Sequence, residues 1–232
     1  MWNMNSQYFD PQNKVRREDP LSLLPRLAGK LRTIWLVQTY PFAAFGKGTW
    51  THYSVQVARS AARYISIGEN VALARRARLE ICGTPQGDSP ILIVEENCGI
   101  QRRCLISAQN RIHIMRNVIF GPSVVVMDHS DLPGPEGSSP RRGGTGEGTI
   151  RIEEGCWIGS RARILCERDE LVIGKNSVIG ANCIVTHSIP SFSVVMGNPS
   201  RIVKQFDTSR GKWVVGSIRS DNAETTQPAS RL

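Results

Sequence analysis

Residues 152–183 read IEEGCWIGSRARILCERDELVIGKNSVIGANC, and within them Ile152, Ile158, Ile173 and Ile179 are each followed four positions later by a small residue, Cys156, Ala162, Ser177 and Cys183. Working outward, the same unit begins at Ile67, Leu73, Val94, Ile100, Ile114 and Phe120, with Val71, Ala77, Cys98, Cys104, Val118 and Val124 at its fifth place. Paired units are six residues apart. A helix turning every 3.6 residues cannot keep a six-residue spacing on one face, whereas a short strand and a tight turn bring every sixth side chain to the same point of a coil. Glycine takes the second place in five units, Gly68, Gly121, Gly159, Gly174 and Gly180. It is expected there to serve a turn at positive φ. Three such units make a triangular coil of about eighteen residues, and roughly five coils stack at about 4.8 Å.

The thiols follow this pattern. Cys98, Cys104, Cys156 and Cys183 share the fifth place with Val, Ala and Ser, so they read as small core residues rather than as disulfides or metal ligands. Cys82 and Cys166 fall outside the pattern and no CxxC pair occurs. A reducing cytoplasm fits this usage, and the N-terminus shows no basic segment leading into an apolar one as a secretory signal would.

The 232 residues carry a formal charge of +9, which points to anionic partners. Nucleic acid ranks last among these, since no recognised motif and no aromatic platform for bases is present. The most apolar window, Ile34 to Phe45, is interrupted by Gln38, Thr39 and Pro41 and is too short to span a bilayer. It reads as a packed helix, with a peripheral membrane contact left open. The chain divides into a lead-in over 1–50 that is partly helical, a repeat domain over 51–206 and a polar tail over 207–232. A run rich in glycine and proline at 130–148 is expected to form a loop outside the stack.

The hexads, the step Gly155-Cys156-Trp157-Ile158-Gly159-Ser160 and the stretch VIGANCIVTHSIPSFSVVMGNPSRIVK over 178–204 resemble the hexapeptide-repeat acyltransferases. The likeness is to the maltose and galactoside O-acetyltransferases and their polysaccharide-modifying relatives, over about residues 62–206. The resemblance implies an all-β fold, a left-handed parallel β-helix with a C-terminal cap, usually trimeric. It also implies acetyl transfer from acetyl-CoA to a hydroxyl, with base and donor contributed across a subunit interface. A sugar of a surface polysaccharide or its precursor is the expected acceptor.

Such a transfer needs a base to take the hydroxyl proton, and an imidazole suits the task. His129, at the end of VVVMDHSD, resembles the family's catalytic base. Asp128, Asp131 or a backbone carbonyl is expected to hold its ring. By position Ser160, Ala181 and Thr186 resemble donor-contacting residues, and a backbone N–H near Ser160 is a candidate oxyanion donor. Arg201 and Lys204 are placed to meet the phosphates of CoA, or else form a solvated end of the stack. His187 stands where the family often has lysine, which weakens a phosphate contact there. Trp157 is expected to wall the site, and LCERDELV, longer than the usual step of the family, to bulge beside it. His113, between Ile112 and Ile114, should point outward, and His52 receives no role. A zinc site is not expected. The competing readings are a serine-type O-acetyltransferase, whose larger helical N-terminal domain this chain does not match, and a structural β-helix without catalysis.

Overall fold

The computed structural model describes residues 23–83, 85, 87–129 and 147–215. The expectations placed on residues 1–22, on Asp131 with most of the 130–148 loop, and on the tail beyond 215 lie outside the described residues.

The chain winds as a triangular parallel β-helix with three faces. The first face stacks Ala44–Phe45, Ile65–Ile67, Leu92–Val94, Arg111–Ile114, Thr149–Ile152 and Glu170–Ile173. The second face begins with Trp50–Thr51 and the third with Gln56–Val57, and each likewise adds one strand per coil. Within every coil the step from face to face is six residues: Ile114, Phe120 and Val126 are the apolar leaders on the three strands of one coil, and Ile152, Ile158 and Ile164 those of the next. These leaders are fully buried, as are Cys98, Cys104, Cys156 and Cys183. Burial pushes the thiols of Cys98 and Cys156 up to about 12 and that of Cys104 to about 11. Such thiols stay protonated and behave as packing groups.

Two expectations are corrected by the backbone. The positive φ of each unit falls at its fourth place, on Asn70, Asn97, Asn117, Asn176 and Asn182 and equally on Arg76, Arg103, Ser123 and Arg161. Here the left-handed residue turns its N–H along the stack axis: Asn117 donates to the Glu96 carbonyl at 3.1 Å and Asn182 to that of Ser160 at 2.9 Å. The second-place glycine serves a different need, close approach of successive coils. A Cβ on Gly159 would stand 2.6 Å from the backbone nitrogen of Ala181. The stack also holds six full coils, because it begins at Ala44 rather than at 51.

The ends are covered differently. Helix α1 (Leu23–Thr39) packs on the first coil through Leu36, with Thr33 Oγ1 and Thr51 Oγ1 3.0 Å apart. Pro25 falls in its first turn, where no N–H is needed, and Pro41 lies just beyond its end. At the other end Ser193–Met196 continues the second face, and Arg201–Asp207 and Lys212–Val215 add two antiparallel strands, carrying the described cap beyond 206.

The third corner, where each coil passes from the third face back to the first, is unlike the other two. The described segments 82–83, 87–91, 109–110, 128–129, 147–148, 166–169 and 186–188 all lie at it. LCERDELV therefore lies on this edge, next to the outer surface of the third face.

Candidate active site

The strand Val125–Met127 delivers Asp128 and His129 to this corner. Asp128 is wholly buried, and its two oxygens are used completely. Oδ1 accepts the Gln109 N–H at 2.7 Å and lies 3.0 Å from His129 Nδ1, while Oδ2 accepts the N–H groups of Asn110 at 2.9 Å and Arg111 at 2.8 Å. The three amides belong to the turn of the preceding coil, whose backbone curls around the carboxylate. Every group facing Asp128 here is a donor, so the ring presents Nδ1–H to it and keeps its lone pair on Nε2. Of the three groups expected to hold the ring, Asp128 is the one within hydrogen-bond distance among the described residues, and Asp131 lies outside them.

Nε2 faces a cavity of about 800 Å³ on the outside of the third face. Ser107, Cys82, Glu80, Leu105 and Met127 supply much of its wall, together with His129. Arg32 of α1 closes one side. Ser107 Oγ lies 3.5 Å from His129 Nε2 and 3.1 Å from Cys82 Sγ. At 3.5 Å the hydroxyl is beyond a good O–H···N bond, and the ring that lines the cavity is itself buried, its side chain 2% exposed. Towards the second corner this cavity meets a hollow of about 600 Å³ bordered by Tyr53, Arg76, Arg78 and Arg103.

The other residues picked from sequence fall into two groups. Ser160 and Ala181 occupy equivalent turns of successive coils at the second corner, and Arg201, paired with Met196, lies near the same edge. Thr186 and His187 are exposed at the third corner, two coils beyond Asp128 in the register of the third face, roughly 10 Å along the stack. The third face runs between the groups, so a long, thin donor laid across its outer surface would touch both. Lys204 is set back on the second face opposite Val194. Trp157 also belongs to the second face, between Ile119 and Val178, and is not part of the cavity wall where it was expected. His113 points outward as the alternation requires, 2.8 Å from Glu95.

Sequence reasoning missed Ser107 and the amides of residues 109–111. Period two does put Ser107 outward, two positions after Leu105, but only register pairs it with Met127 and brings it beside His129.

No family model matches the chain. It is 33% identical over 98 residues to the galactoside O-acetyltransferase of Lactococcus lactis, a match covering 42% of this chain and 45% of that protein. It is 24% identical over 156 residues to the putative lipopolysaccharide biosynthesis O-acetyl transferase WbbJ of Escherichia coli, covering 64% and 76%. Among solved structures, AntD of Bacillus cereus, an N-acyltransferase in complex with dTDP and coenzyme A, superposes with a TM-score of 0.59 over 74% of this chain and 88% of that one, at 17% identity. The chain is therefore similar to acyltransferases over part of its length. The likeness to AntD shows the fold, which is a left-handed β-helix. The chain spans less than half the length of the Lactococcus relative.

Proposed function

We propose that the protein is an acetyl-CoA-dependent O-acetyltransferase that acts on a sugar hydroxyl, in the modification of a surface polysaccharide or its precursor. The observation that carries this reading is the orientation of His129, with Nδ1 directed at Asp128 and Nε2 beside Ser107 on the wall of the cavity that both residues line. The acceptor hydroxyl enters beside Ser107 and gives its proton to Nε2. Its oxygen attacks the acetyl carbonyl carbon, the C–S bond breaks, and the CoA sulfur leaves with the proton returned by the imidazolium. Direct transfer fits a serine hydroxyl held off Nε2 better than an acyl-serine does. The naming of two relatives for galactoside and lipopolysaccharide acetylation supports a sugar acceptor.

Acetyl-CoA fits the outer surface of the third face. The turns at Ser160 and Ala181 suit a pantetheine arm, a backbone N–H near Ser160 serving as oxyanion donor, and Arg201 suits a phosphate. Thr186 and His187 border the same surface, and Lys204 serves as a more distant cation. In a homotrimer a neighbouring copy closes the groove, so the isolated subunit is inactive.

Calorimetry with acetyl-CoA, followed by thiol release with galactosides and sugar nucleotides as acceptors, tests the proposal. Micromolar donor binding that survives His129→Ala, with turnover reduced about a thousandfold, is expected. A folded protein that binds no acetyl-CoA overturns the reading in favour of a structural β-helix.

A further inference from the structure

Helix α1 is buried on one side only. Leu36 is 2% exposed, and Gly29 packs so closely on Trp50 that a Cβ would meet its Nε1 at 2.7 Å. On the opposite side Leu27, Leu31, Ile34 and Trp35 are 55%, 58%, 54% and 45% exposed. Their spacing of four, three and one puts them in a single stripe along the helix. No described helix is long and apolar enough to cross a membrane, so a stripe of this kind meets a surface rather than a bilayer interior.

The charge around the stripe says which surface. From Pro20 to Gly68, through α1 and the first coil, the chain holds no Asp or Glu. The same segment places exposed Lys30, Lys47, Arg59 and Arg63 at this end of the stack. A second copy docking here through the same face would bring like charges together across an apolar seam, which is unfavourable in low dielectric. An anionic lipid surface satisfies both features at once.

We propose that the α1 end of the stack docks on an anionic membrane, with Leu27, Leu31, Ile34 and Trp35 entering the boundary between headgroups and acyl chains and the surrounding lysines and arginines held against lipid phosphates. Arg32, on the same helix, lines the cavity of His129, so the candidate active site opens beside the docked face. The docking itself does not depend on the acetyltransferase reading.

The test is cosedimentation of the full-length protein with phosphatidylcholine vesicles, with and without about 30% phosphatidylglycerol. Its controls are oligomeric mass and thermal midpoint. The wild type is expected on the anionic vesicles only, and about 0.5 M salt should weaken its binding. Lys30→Ala lowers partitioning about fivefold. The double variant Leu31→Asp, Ile34→Asp abolishes it while the midpoint is retained, because both side chains are exposed. Equal binding to neutral vesicles, or binding that survives the double variant, overturns the proposal. So does a wild-type mass that falls in the double variant without any lipid binding, which would make the stripe a contact between copies.

Discussion

The buried carboxylate of Asp128 invites a substitution that keeps shape and removes charge, Asp128→Asn. The amide must direct its NH2 either at Asn110 and Arg111 or at Gln109 and His129, since these are the donors now shared between Oδ2 and Oδ1. The first choice strips two backbone N–H groups of their acceptor. The second strips one, because the histidine can answer an N–H donor by moving its own proton from Nδ1 to Nε2. Each buried donor left without a partner costs about 1–3 kcal/mol, so the second orientation is preferred. The variant is therefore expected to lose about 1–3 kcal/mol of stability, a fall of roughly 2–10 °C in thermal midpoint for a chain of this size. It also fixes the wrong tautomer, with Nε2 protonated and unable to take a proton. Turnover should drop by about 10³–10⁴ while acetyl-CoA binding persists. Nitrogen NMR of the labelled imidazole reads the tautomer directly, differential scanning calorimetry reads the midpoint, and a thiol-release assay reads turnover. An unchanged tautomer with an unchanged midpoint would refute the reasoning, because Asp128 would then not be holding the ring.

Ser107→Ala separates the two uses of that hydroxyl: a loss of tenfold or less in turnover agrees with direct transfer, whereas a loss above about 10³ with a vanished burst phase would make Ser107 the nucleophile. Gly159→Ala forces a Cβ to within 2.6 Å of the Ala181 nitrogen, and a loss of about 2–3 kcal/mol, or about 5–10 °C in midpoint, is expected by calorimetry. Native-state labelling with a thiol reagent at mild alkaline pH should modify Cys82 well before Cys98, Cys104 and Cys156, as mass spectrometry of digests would show; early labelling of Cys156 would contradict its burial. The same raised thiols make the folded state hold protons that the unfolded chain releases near the ordinary thiol pKa of about 8.5. Their contribution is complete below that pH and is lost as pH climbs towards about 12, so urea midpoints should decline through this range.

The sequence displays two faces of the triangle and conceals the third. Leu79, Ile106, Val126, Ile164 and Val185 keep the step of six, but four residues further on stand Gly83, Asn110, Ser130, Arg168 and Ile189, so no regular fifth-place residue completes the unit. The first coil is hidden for another reason. Its leaders are Phe45, Thr51 and Val57, and the buried Thr51 is polar because it meets Thr33 of α1 rather than another coil. Positive φ at arginine and serine has no compositional mark at all; it follows from the need of each turn amide to reach the coil beneath. Asp128 and His129 were legible through resemblance and their adjacency. The cradle of amides from 109–111 was not, since it comes from the previous coil and exists only once the register is set.

Ile65, Leu92, Ile112, Ile150 and Leu171 stand in one column although the chain lengths separating them are very unequal. Among the described residues every departure from the step of six falls at the third corner, and the column does not feel it. The inequality of the coils is thereby taken up at one seam beside the proposed chemistry: a graft or deletion there changes what reaches His129 while the other two edges keep the register. Reprogramming the acceptor becomes a matter of exchanging loops on an unaltered spindle, and an entire coil could be added at the far end without moving the histidine.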